Sequence, residues 1–396
     1  MASIDGLRGL AALSVFIFHG WLYTMPDPDA THRSTVGDYA VHELRLGLVL
    51  FFVLSGFLLS RPWFGAALDE RRPPDLRRYL RARFARIAPA YYVALIGSIG
   101  LLWSLAGSPG VRLPPASELP LFFVFAQNTS PSSVMKLNPP MWSLAVEVSF
   151  YAVLPVIGWL ATRLAPRRRS QALIPLALLA LGILWNWSIA GRGLGLTFSK
   201  SLAAMLPYFA LGMLAALMLH GREPSATARR AMFAAGAAIV VCDAFVKAAV
   251  PASGLDATTF FSTSRDVLSG VGFALIIAAA ASAPHGRVLG NRVLAGMGTI
   301  SYGFYLWHVP VLVFLRGHGL LPLDPVLGTL VALGPALAVS ALSWVAVEQP
   351  IIARAARRNE RSRIERRRRA LPRPAVSGGG GVDRRAGGRE VGTVRA

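Results

Sequence analysis

The chain has one cysteine, Cys242, in 396 residues. A single thiol excludes a disulfide framework, and no Cys/His spacing of the metal-binding kind occurs, so no metal site is expected. There is no phosphate-cradling loop and no dinucleotide fingerprint, which leaves hydrolysis-driven transport without support. Charge is scarce: 15% of residues are Asp, Glu, Lys or Arg, where a soluble domain of this length carries about a quarter. Acidic residues are scarcer still, 20 against 41 basic, and the net charge of +21 is almost entirely arginine. No internal repeat is visible. The N-terminal segment lacks a small-x-small cleavage site, and it carries Asp5 and a histidine, so it does not read as a cleaved signal peptide.

Apolar residues fill the gap, at 54% of the chain. They fall into runs long enough to span a bilayer near 7–25, 45–62, 88–106, 141–161, 172–190, 201–219, 231–249, 266–283, 299–316 and 326–347. A further run, 119–127, is too short to cross. The expected fold is an all-α integral membrane protein of about ten transmembrane helices plus one short non-spanning apolar segment, multi-pass in the cell membrane.

Arginine placement sets the expected topology. Clusters lie at 61–86, 163–169, 222–230 and 287–292, and the densest follows Glu348. The alternate loops, 26–43, 250–264 and 317–325, carry little positive charge. Under the positive-inside rule, ten spans with both termini cytoplasmic put every cluster inside, provided 119–127 dips in without crossing. Membrane lipid then accounts for most of these arginines, and no nucleic acid partner is needed. Residues 1–350 read as one membrane domain. Residues 351–396, basic and Gly-rich, read as a disordered cytoplasmic tail.

One charge pattern is sharper than the rest. Arg8 and His19 are eleven residues apart in IDGLRGLAALSVFIFHGWLY. Eleven helical steps return to within about 20° of the start, so both project from one face, about 16 Å apart along the axis. With Arg8 at the membrane surface, His19 sits near the middle of the hydrocarbon layer, where an ionisable group is a functional candidate by default. A surface cation and a mid-membrane base on one stripe suit a long anionic co-substrate whose reactive end enters the membrane.

Several blocks resemble the acyltransferase family 3 membrane O-acyltransferases: RGLAALSVFIFHG with its arginine–ten residues–histidine spacing, FFVLSGFLL, LRARFARIAPAYY, MWSLAVEVSFY, ISYGFYLWHVP and VEQP. They occur in family order from residue 4 to about 350. The resemblance implies transfer of an acyl group, usually acetyl, from acyl-coenzyme A to hydroxyls of sugars, envelope glycans or glycosylated natural products. It places the cytoplasmic arginine motif on Arg83 and Arg86. The first motif lies close to the start of the sequence, which suggests a start further upstream. The tail is too short and too Gly/Arg-rich for the esterase-like domain fused to some relatives.

The residues agree with that chemistry. A histidine within hydrocarbon rests neutral, because charging it forfeits hydration, and a neutral imidazole can take a proton from an attacking hydroxyl. His19 is therefore the expected base. Arg8, Arg83 and Arg86 would hold the phosphates of acyl-coenzyme A, a co-substrate and not a resident cofactor. Glu147, a second intramembrane charge, would either orient His19 or bind the acceptor, with Ser143 and Tyr151 one turn either side on its face. Trp142 reads equally as an interfacial anchor or a sugar-stacking platform. His308 shares a face with Ser301 and Tyr305 and is either structural or part of the site. Gln127 and Asn128 could reach the cavity as hydrogen-bond donors. The rival reading is a secondary transporter of a small polar or anionic solute, which also uses intramembrane Glu and His.

Overall fold

A computed structural model of the chain describes residues 2–25, 35–190, 192, 194–252, 266–283, 286 and 288–358. Among these residues every regular element is helical. The long ones are α1 (Ala2–Thr24), α3 (Gly47–Leu68), α4 (Leu76–Ser104), α6 (Met141–Ala161), α7 (Arg168–Ala190), α9 (Leu202–Leu219), α10 (Ala226–Ala252), α11 (Val267–Ala281), α12 (Arg292–Gly317) and α13 (Pro325–Ser343). Short helices α2 (Val36–His42), α5 (Leu119–Phe123) and α8 (Leu196–Ser199) join them. The last helix runs on through a wider π turn, Trp344–Glu348, and reaches residue 358. The expected tail thus begins as helix over 351–358, and its remainder, 359–396, lies outside the described residues.

Among the described residues, eight helices are long and apolar enough to cross a membrane. The expected spans at 231–249 and 266–283 correspond to α10 and α11, which are not among the eight; α11 has only 15 residues. α10 carries Asp243 and Lys247 mid-helix, and both are occupied. Lys247 Nζ lies 2.7 Å from Asp243 and 2.9 Å from Asp266, and Arg45 donates to Asp266 at 2.7 and 3.0 Å. This ion cluster ties the start of α11 to α10 and to the turn before α3. Breaking one partner of so buried a set costs on the order of 3–5 kcal/mol. α4 begins twelve residues before the expected 88, because Asp75 caps it by accepting from the Arg78 amide at 2.8 Å. The 119–127 segment forms a five-residue helix and a 3₁₀ turn, Gln127–Thr129. Five residues rise about 7.5 Å, far short of a bilayer.

Contacts fix the helix directions. α1 and α12 run parallel, with Asp5 against Gly298 and His19 against His308. α3 and α9 are parallel, from Phe52–Tyr208 to Asp69–His220. α3 and α6 are parallel through Ser55–Glu147 and Trp63–Gly158, while α7 and α9 are antiparallel. Small residues make the closest approaches possible. A Cβ on Gly298 would lie 1.8 Å from the Asp5 carbonyl oxygen, and one on Gly56 would lie 2.2 Å from that of Phe209. Without a hydrophobic drive between helices in lipid, such backbone proximity is a main source of packing energy. Prolines inside helices free carbonyls that the apolar interior cannot hydrate. Pro310 frees Leu306 O, which accepts from Asn138 Nδ2 at 2.9 Å, and Pro155 frees Tyr151 O, which accepts from the Tyr79 hydroxyl at 3.3 Å.

Candidate active site

The parallel packing of α1 on α12, with α3, α4 and α6 beside them, leaves an open cavity of about 130 Å³. At one end it is lined by Arg8, Arg83 and Arg86 with Ser301 and Tyr302 beside them, and deeper by Glu147, Tyr151 and Ser55, then by Ser143 and Tyr305. The walls between are apolar, among them Phe51, Phe52, Leu58 and Leu144. Eight sequence-predicted residues therefore meet in one place: Arg8, Arg83, Arg86, Glu147, Ser143, Tyr151, Ser301 and Tyr305. Among the described residues none of the three guanidiniums forms a salt bridge, and Arg83 Nε is buried with no hydrogen-bond partner. Arg86 lies 6.0 Å over the Trp344 ring.

His19 and His308 are not part of the cavity lining. They stand beyond Tyr305, whose ring is 5.7 Å from that of His308. Tyr305 also holds the inner end in place: its hydroxyl is 2.8 Å from Ser143 Oγ and donates to Pro140 O at 3.1 Å. His308 follows Tyr305 by three residues, about 4.5 Å along the axis. His308 Nδ1 lies 3.1 Å from Phe304 O, and a carbonyl only accepts, so that nitrogen carries the hydrogen. In the neutral ring Nε2 is then an acceptor, 3.2 Å from His19 Nδ1. His19 Nδ1 also lies 2.9 Å from Val15 O. Its hydrogen is shared between those two acceptors, and His19 Nε2 is left with a bare lone pair. These contacts hold the neutral ring in its Nδ1–H tautomer.

Three expectations change. Glu147 does not orient His19; its Oε1 accepts from Ser55 Oγ at 2.8 Å and Tyr151 OH at 2.7 Å, and the orienting contact belongs to His308. Asn128 does not line the cavity. Its amide donates at 2.8 Å to both Trp142 O and Lys200 O, and Gln127 donates to Met141 O, so both pin the short segment to the start of α6. Trp142 is buried, with Lys200 Nζ 4.3 Å over its ring and Phe52 at its edge, so it neither anchors at a lipid interface nor offers that face to a sugar.

Sequence reasoning gave no role to Ser55, Tyr302 or Glu348. Glu348 is buried, its Oε2 lacks a partner, and a Cβ on Gly303 would lie 2.8 Å from its Oε1. The signal was present: an intramembrane carboxylate in the VEQP block.

The family model described as an acyltransferase domain matches residues 1–345. The acyltransferase MdmB of Streptomyces mycarofaciens is 30% identical over 173 residues, 42% of this chain and 42% of that protein. A Bacillus subtilis protein provisionally named peptidoglycan O-acetyltransferase YrhL is 26% identical over 344 residues, 78% of this chain and 48% of its own length. The O-acetyltransferase OatA of Staphylococcus aureus is 24% identical over 382 residues, 89% of this chain and 57% of its own. The chain thus spans about half the length of these relatives. No solved structure matches it. With a family match over nearly its whole length, the chain belongs to acyltransferase family 3 and carries that family's acyltransferase domain.

Proposed function

We propose that the protein is a membrane-bound O-acyltransferase that moves an acyl group, acetyl in the first instance, from cytoplasmic acyl-coenzyme A to a hydroxyl of a carbohydrate, an envelope glycan or a glycosylated metabolite. The observation that carries this reading is the convergence of three unpaired guanidiniums on a cavity whose inner end adjoins a histidine pair. Arg8, Arg83 and Arg86 would grip the donor's phosphates, with bidentate geometry suited to phosphate oxygens. The pantetheine arm would follow the apolar walls toward Tyr305. His19 Nε2 would take the acceptor hydroxyl's proton as that oxygen attacks the thioester carbonyl. The carbon–sulfur bond then breaks, and the departing thiolate recovers the proton from the imidazolium. The names of the relatives point to O-acetylation and, for one, to peptidoglycan, so a glycan acceptor is the first to try.

Purified full-length protein, incubated with acetyl-coenzyme A and glycans extracted from the host, should add acetyl mass to a glycan in mass spectrometry. Absence of any acylated product, together with solute uptake by vesicles bearing the protein, would favour the transporter reading.

The same reading includes ten crossings with both termini in the cytoplasm, and the helix directions support it by bringing the arginine-bearing ends together. In a background lacking Cys242, the variants Ser117→Cys and Leu320→Cys should react with an impermeant thiol reagent on intact cells. Glu70→Cys, Arg167→Cys and Glu223→Cys should be protected until lysis. Labelling of Arg167→Cys from outside would mean that an extra segment crosses before α6, and the topology would be wrong.

A further inference from the structure

A second concavity, an open bowl of about 910 Å³, lies where the first turn of α7 meets the C-terminal ends of α3 and α9. Its polar wall is Arg167, Arg168, Arg169, Arg222 and His220, and its floor is apolar, formed by Leu68, Ala172 and Met218. None of these residues belongs to the cavity described above.

Among the described residues the one carboxylate in the bowl is already occupied. Asp69 accepts from His220 Nε2 at 2.8 Å and from Arg71, and these two hydrogen bonds hold its carboxyl below the usual range. Arg168 donates to the His220 carbonyl, yet its Nε is buried with no partner. Arg167, Arg169 and Arg222 are exposed and have no carboxylate partner among the described residues. The bowl therefore concentrates uncompensated positive charge at the start of a 23-residue helix, whose first amides add further positive potential. Ordinary topology-setting arginines need no concavity and no apolar floor. Here both exist, at the ends of three membrane-spanning helices.

We propose that this bowl binds the phosphate-bearing headgroup of an anionic membrane lipid, with the arginines on the phosphate and the glyceryl and upper acyl carbons against Leu68, Ala172 and Met218. A basic pocket between helix ends at the membrane surface has the chemistry such headgroups require. The inference rests on these helix ends lying at the surface, and it does not depend on acyl transfer.

The test uses the full chain in neutral detergent, with thermal unfolding as the readout. Added phosphatidylglycerol should raise the melting temperature, whereas phosphatidylcholine with the same acyl chains should not. In the triple variant Arg167→Gln, Arg169→Gln, Arg222→Gln, the half-effective phosphatidylglycerol fraction should rise roughly tenfold or more. These side chains are exposed, so the variant is expected to fold. The corresponding triple Lys variant keeps the charge and should recover part of the effect. Equal protection of wild type and the Gln variant would overturn the site. Protection by inorganic phosphate alone would transfer the site to a soluble phosphate and overturn the lipid assignment. Protection by coenzyme A that the Gln variant loses would make the bowl part of the donor site instead.

Discussion

His19→Ala should lower turnover by roughly two to four orders of magnitude, the usual contribution of a positioned general base, while donor affinity stays close to that of the unmodified protein. The two effects separate because Arg8, which would bind the donor together with Arg83 and Arg86 of α4, sits about 16 Å from His19 along α1. His19→Gln keeps a hydrogen-bonding side chain but no basic lone pair of comparable strength, so it should be almost as inactive. The neighbouring ring gives a graded companion test. His308→Ala removes one of two acceptors for the His19 Nδ1 hydrogen, and Val15 O retains the other. Turnover should fall about tenfold with the Michaelis constant for the donor unchanged, the signature of a positioning residue. Substantial acyl transfer by a well-folded His19→Ala protein would remove His19 from the chemistry.

The division between what the sequence revealed and what it hid follows from the range of the interactions involved. The Arg8–His19 stripe depends only on helical repeat, and Arg83 with Arg86 only on three-residue spacing, so both could be read directly. The apolar runs gave the helices, although α4 starts earlier than its apolar run because a local cap at Asp75 extends it through a basic stretch. What escaped were pairings across more than a hundred residues. The partner of His19 is 289 positions away, and nothing in the local pattern distinguishes His308 from Glu147 as that partner. Asn128 misled for a related reason. A polar amide at the tip of an apolar segment can serve a ligand or a carbonyl, and only the fold shows both of its donors spent on Trp142 O and Lys200 O. The lysine that closes the ion cluster between α10 and α11 looks, in sequence, like a flaw in a membrane span.

Replacing Arg8, Arg83 or Arg86 singly with Ala should weaken acyl-coenzyme A binding by roughly 10- to 150-fold, which corresponds to about 1.5–3 kcal/mol for a charge-assisted hydrogen bond. The loss should shrink as salt rises, because screening weakens the native contacts too. Glu147 supplies the control. Among the described residues it is the one carboxylate in the cavity lining, and Arg8 is within electrostatic reach of it. In Glu147→Gln the amide oxygen can still accept from Ser55 and Tyr151, so packing is kept while one negative charge is lost. If the cavity recognises an anion, donor affinity should rise in this variant, opposite in sign to the arginine variants, and its salt dependence should steepen. Opposite signs cannot come from general loss of structure, which would weaken binding in every case. Unchanged affinity in all three arginine variants would return those side chains to a lipid-anchoring role, and the donor would have to enter elsewhere.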